Sequence, residues 1–172
     1  MKTLNWRHTG WNARNFLFTI GEEIIGQLTI TRFWNFQAVY VDRDTKLTFS
    51  QKGFWNRDVL IAKDERILGE ISFELFGRQT LVLATGEKFT LSTSFWEQEI
   101  FWKNEKGDTI VKYQQATMSS LGNGLITLTD NLTLETEKLL ICSGLFIRKV
   151  MQKRRALVVI MVILLSGASR NL

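Results

Sequence analysis

The sequence predicts an all-β protein: a closed or nearly closed twelve-stranded antiparallel barrel of three four-strand repeats around a hydrophobic C-terminal α-helix. Three observations predict it. Short segments place apolar residues at every second position, the pattern returns with a period of about 42 residues, and after Asp130 it gives way to one continuous apolar run. The 172 residues are 45% hydrophobic and 12% aromatic, with a mean hydropathy of −0.03, which is enough apolar material for one sizeable core and excludes a disordered chain. With twelve Gly and no Pro, the chain is neither collagen-like nor proline-rich and carries no rigid linker. The organisation read from this is one domain over 1–151 and a basic, apolar tail over 152–172.

The first unit opens with TLNWRHTGWNARNFLF from Thr3, which lies without a gap over KLTFSQKGFWNRDVLI from Lys46 and, one residue shorter, over KFTLSTSFWEQEIFW from Lys88. In this register Trp6 matches Phe49 and Leu91, and Phe18 matches Ile61 and Trp102. The second half of each unit follows the same order. Ile24–Leu28 lies over Ile67–Ile71 and more loosely over Thr109–Tyr113, and Val39 and Val41 lie over Leu81 and Leu83, with Leu125–Leu128 as the third copy. Alternation over short runs rich in Val, Ile, Phe, Trp and Thr marks strands buried on one face. Gly21-Glu22-Glu23, Asp42-Arg43-Asp44, Lys63-Asp64-Glu65, Thr85-Gly86-Glu87 and Lys106-Gly107-Asp108 supply the turns between them. Consecutive hairpins in this number must close on themselves or stack to protect their edges.

The run Leu139–Ile147 reads as a helix. Thr133 caps its start, Glu135 and Glu137 suit the positive end of the helix dipole, and Arg148 and Lys149 complement the other end if it stops there. A helix over about 133–151 would be roughly 28 Å long at about 1.5 Å per residue. Apolar on all sides, it needs burial, and twelve strands enclose more space than their own side chains fill. Leu139–Ile147 is the favoured plug because it follows the last strand directly; Ala156–Leu165 is the other candidate. Gly144 lets a strand approach the helix closely.

The triplicated strand pattern with its Gly-Phe-Trp or Gly-Trp turns, followed by a hydrophobic helix, resembles the tubby C-terminal-like superfamily, which includes the LURP-one-related proteins and phospholipid scramblases. The resemblance covers roughly residues 3–151 and rests on layout. It implies a twelve-stranded barrel around a central helix. Tubby proteins bind phosphoinositide headgroups through basic residues, and those positions find no residue-by-residue match here. The cysteine cluster and acidic calcium run of scramblases have no counterpart either.

Charge is concentrated in the tail. Six of the 22 basic residues lie from Arg148 onward, with no Asp or Glu among them, leaving 16 basic against 17 acidic residues before it. Arg148, Lys149, Lys153, Arg154 and Arg155 precede ten consecutive apolar residues, Ala156–Leu165, a stretch short of the roughly 20 needed to span a bilayer. A polybasic run beside an apolar segment suits an anionic lipid surface, with Arg148, Lys149, Lys153, Arg154 and Arg155 meeting headgroups and Leu157, Val158 and Ile160 entering the interface. The competing reading is a soluble structural or protein-interaction domain whose tail packs on the barrel or makes a homo-oligomer. A nucleic-acid arm ranks last.

No enzyme is expected, and no cofactor or metal. The sequence holds no Gly-x-Ser-x-Gly, P-loop, His-Glu-x-x-His or Cys-x-x-Cys motif. The single His8 falls where Gln51 stands in the second repeat and reads as a surface histidine; the single Cys142 reads as a small core residue. Trp6 and Trp102 fall on the inward register, Trp55 and Trp96 at equivalent turns suit plugs of the barrel end, and Trp11 and Trp34 are left free to be exposed. With one cysteine, and no apolar leader in Met1–His8, the expected location is cytoplasmic, at the membrane periphery.

Overall fold

The structure, a computed structural model, describes residues 1–9, 14–32, 37–53, 57–74, 78–94, 99–116 and 122–168, with the backbone alone for Arg32, Ser94 and 153–168. Twelve strands form a closed antiparallel barrel. They are β1 (Lys2–Thr9), β2 (Asn15–Ile20), β3 (Glu23–Arg32), β4 (Gln37–Val41), β5 (Lys46–Gln51), β6 (Val59–Lys63), β7 (Arg66–Phe73), β8 (Gln79–Leu83), β9 (Lys88–Ser94), β10 (Glu99–Lys103), β11 (Thr109–Gln115) and β12 (Asn123–Leu128), followed by α1 (Leu134–Ala168). Each strand pairs with its chain neighbours, and β1 closes the ring on β12 through the register Lys2↔Leu128 to Arg7↔Asn123.

The alternation read from sequence is the alternation of burial. In β1, Leu4 and Trp6 point inward between exposed Thr3, Asn5 and Arg7; in β5, Leu47 and Phe49 do the same. Closure removes the free edges that an open sheet of hairpins would expose. The ladder slips by one residue after Phe18, Ile61 and Trp102, three positions that the sequence alignment superposes, and once more in β3 between Ile30 and Arg32. Asp64 and Glu65 both take positive φ, 46° and 70°, as a two-residue hairpin whose twist matches its strands requires.

α1 fills the bore. The Thr133 hydroxyl oxygen accepts the Thr136 N–H at 3.2 Å, the expected cap. Leu139, Leu140, Cys142, Leu145, Phe146 and Ile147 are buried, so Leu139–Ile147 plugs the bore. The Phe146 ring lies 5.2 Å from that of Phe49, and the Leu140 carbonyl accepts both the Trp102 indole N–H, at 3.1 Å, and the Tyr113 hydroxyl. Gly144 makes room for Tyr113, whose Cζ and hydroxyl oxygen would each stand 2.3 Å from a Cβ there.

The helix differs from expectation at its far end. It does not stop near Met151 but runs for 35 residues to Ala168, so Arg148 and Lys149 sit within it and 152–168 continues it. No Pro occurs anywhere and no Gly between Arg148 and Ser166, so nothing in that stretch ends the helix.

The antiparallel order sorts the connections to two ends. α1 starts at the end carrying the β2–β3, β4–β5, β6–β7, β8–β9, β10–β11 and β12–α1 connections and leaves at the other. Every connection at the starting end holds at least one carboxylate, and none holds an aromatic ring: Glu22, Asp42, Asp64, Glu87, Asp108 and Asp130 represent the six.

Candidate functional site

At the end where α1 begins, its first turns are clamped by ion pairs. Lys2 Nζ meets Glu137 Oε2 at 2.6 Å, and Lys138 Nζ meets Asp42 Oδ2 at 2.7 Å while bonding Thr45 Oγ1. Asp42 also accepts the Tyr40 hydroxyl and the backbone N–H groups of Asp44 and Thr45. Burial pushes its carboxyl up, but the hydrogen bonds from Lys138, Asp44 and Tyr40 outweigh that and hold it below the ordinary 3.8. Beside this clamp lies an open cavity of about 630 Å³ whose polar side includes Tyr40, Asp42, Glu137 and Lys138. Its apolar side includes the exposed Ile20, Ile24, Val41 and Leu134.

At the other end, Arg148 of α1 lies against Trp6 of β1 and Gln115 at the end of β11, and its charge and that of Lys149 reach His8. Arg148 stacks its guanidinium over the Trp6 ring, 5.4 Å from the centroid, and donates from Nη2 to Gln115 Oε1. Desolvation lowers the Arg148 and Lys149 pKa values, and for Lys149 the neighbouring Arg148 charge adds to the effect. Sequence reasoning grouped both with the lipid-facing basic residues; the structure places them half-buried at the mouth. The long stem of Arg148 packs while its planar head finds an aromatic face, an arrangement worth more than plain hydration once partly desolvated. Among the described residues, Trp6 Nε1, His8 Nδ1 and Arg148 Nη1 are buried with no hydrogen-bond partner.

His8 is a correction. It belongs to β1 and is half-buried, with its ring 4.3 Å from Phe16 and 5.6 Å from Trp6. Burial, helped by the Lys149 and Arg148 charges, lowers its pKa from 6.5 to about 4 against a backbone hydrogen bond at Asn15. The unfolded chain therefore takes up this proton near pH 6.5 and the folded one only near 4, so the stability tied to the neutral ring is complete above pH 6.5 and drains away as the pH falls to 4. His8→Gln is expected to flatten the urea midpoint across that window. Asp42, held below 3.8, loses its own contribution as the pH falls through the bottom of that window.

The remaining candidates are structural. Cys142 is fully buried, and burial pushes its thiol well above the usual range, so it is no nucleophile in the folded state. Trp6 and Trp102 point inward as expected, at 2% and 0% exposure. Trp11, Trp34, Trp55 and Trp96 lie outside the described residues, as do the side chains of Lys153, Arg154, Arg155, Leu157, Val158 and Ile160, whose backbone belongs to α1. Among the described residues no three His, Cys, Asp or Glu gather as metal ligands, and no helix is long and apolar enough to cross a membrane.

Comparison with protein-family models, with curated proteins and with solved structures finds no match.

Proposed function

We propose that this chain is a non-enzymatic module of the tubby-like kind, held at the cytoplasmic face of a membrane by the part of α1 that leaves the barrel. The observation carrying this reading is the continuity of α1 from the buried Leu139–Ile147 plug to Ala168. A basic cluster and a ten-residue apolar run thereby ride on the same helix that is locked into the core. The likeness to tubby-like proteins rests on the pairing of barrel and axial helix.

With Arg148 engaged by Trp6 and Gln115, and Lys149 half-buried, the headgroup attraction falls mainly to Lys153, Arg154 and Arg155. At about 1 kcal/mol each, they supply about 3 kcal/mol, or roughly a hundredfold in partitioning to an anionic surface. Partial insertion of Leu157, Val158 and Ile160 adds an apolar anchor that salt does not screen.

Sedimentation with phosphatidylserine-containing and phosphatidylcholine vesicles, at low and high salt, tests this against a chain ending at Gln152. Salt-sensitive binding to anionic vesicles that the truncation abolishes is the expected result, and equal behaviour of the two chains overturns the reading. A lower oligomer mass on truncation, with no vesicle binding by either chain, establishes self-association through the tail instead.

A further inference from the structure

We propose that the cavity between the first turns of α1 and β1–β4 is a binding site for a small neutral molecule, apolar over most of its surface and carrying one hydroxyl. The site lies at the end of the barrel where α1 begins, away from the tail, so the proposal stands whether or not the tail meets a membrane.

The cavity follows from the width of the ring. Twelve strands enclose more space than one helix fills, and α1 is bound to one side of the bore. Its Leu140 carbonyl accepts from Trp102 of β10 and Tyr113 of β11, and Gly144 lets Tyr113 come close. β4 stands six places from β10 in the ring of twelve, so the space left over opens toward β4 and its neighbours. Deeper in the bore Phe146 reaches Phe49 of β5, which confines the gap to the first turns of α1. Its volume of about 630 Å³ falls within the roughly 300–1,000 Å³ of small-molecule sites and far exceeds the voids that packing leaves in a core. Leu4, Phe18 and Ile141 line it as buried residues, and Ile20, Ile24, Val41 and Leu134 as exposed ones. An exposed apolar cluster around a concave surface is the mark of a ligand groove.

The charges around the cavity select against a charged ligand. Of the seven charged residues lining it, Lys2 pairs with Glu137 and Lys138 with Asp42, while Glu23, Arg43 and Asp44 are exposed. An ion entering would give up hydration beside pairs that already neutralise each other, and pairing with the hydrated groups at the rim returns little.

The hydrogen-bond inventory selects a hydroxyl. Asp42 is saturated, because Lys138, the Tyr40 hydroxyl and the Asp44 and Thr45 N–H groups fill the roughly four sites that a carboxylate offers. Lys138 uses two of its three N–H groups, on Asp42 and Thr45, and the Tyr40 oxygen, which donates its proton to Asp42, can still accept. One donor and one acceptor are thus left on the polar side. A hydroxyl answers both, accepting from Lys138 and donating to Tyr40.

Octan-1-ol, octanoate and octylammonium share an apolar body and differ in charge, and 1-methoxyheptane is an isomer of octan-1-ol that accepts but cannot donate. In calorimetric titrations of the full chain, octan-1-ol is expected to bind about tenfold tighter than either ion and about fivefold tighter than the ether. Ile24→Asp and Leu134→Asp put a carboxylate at positions 57% and 63% exposed, where burial does not hold the fold together, and each is expected to weaken octan-1-ol about fivefold. Ile67→Asp, at a position 52% exposed on β7 and outside the cavity, leaves the affinity unchanged. Equal or tighter binding of octanoate or octylammonium overturns the neutral class, and equal binding of the ether overturns the hydroxyl. Octan-1-ol binding that Ile24→Asp and Leu134→Asp both leave intact, as uptake by the apolar tail would give, overturns the site, and so does the absence of binding.

Discussion

Trp102→Ala is expected to lower stability by about 4 kcal/mol, as large aromatic truncations in a close-packed core do. For a chain of this size each kcal/mol moves the melting temperature by roughly 2–4 °C, so thermal denaturation followed by circular dichroism should show a fall of about 8–16 °C. The size follows from the position of the side chain: Trp102 is fully buried on β10 and is one of two residues holding the Leu140 carbonyl of α1. Trp102→Phe separates volume from hydrogen bonding. It keeps most of the ring, leaves Tyr113 on the carbonyl, and is expected to cost about 1 kcal/mol. A Trp102→Ala protein that melts like the parent would mean that α1 is not locked to β10.

The second large effect belongs to the seam where the ring closes. Gly124 of β12 sits opposite both Trp6 of β1 and Gln115 of β11, and a Cβ there would stand 1.9 Å from the Gln114 carbonyl oxygen and 2.9 Å from Trp6 Nε1. The first neighbour is backbone, so no rotamer change relieves the contact and the ladder itself must move. Gly124→Ala is expected to destabilise by about 3 kcal/mol, the upper part of the range for overpacking. Gly53→Ala, with open space around it, should stay within about 0.5 kcal/mol of the parent. Urea unfolding of the two variants side by side measures the difference; equal midpoints would refute close packing at the seam.

The barrel is legible because most strands have one wet and one dry face, which writes period two into the chain: Leu4 and Trp6 as well as Leu47 and Phe49 point inward. The plug was legible because Leu139–Ile147 has no wet face at all, and its cap because Thr133 offers the hydroxyl a helix start needs. The end of the helix is not legible in the sequence, for an equally physical reason. A change from apolar to basic composition at Arg148 alters what surrounds a helix, whereas ending one takes a residue that suits the left-handed cap or cannot continue the ladder, and 148–166 holds no Gly, Asn or Pro. His8 and Arg148 were misread because both are polar by type, and neither the cation–π contact with Trp6 nor the crowding at the mouth leaves a periodic trace in sequence.

The pairing of β1 with β12 also governs how the chain can be made. During synthesis the outer edge of Lys2–Thr9 has no partner until Asn123–Leu128 has left the ribosome, and the plug that fills the bore is made later still. At elongation rates of about 5–20 residues per second, making the intervening chain takes roughly ten seconds, with a growing, hollow, open-edged sheet exposed throughout. A nascent chain released by a stop codon before Ile147 would keep most of its strands and lose part of the interior they wrap around, which makes it a substrate for chaperones and proteases rather than a smaller version of the same protein.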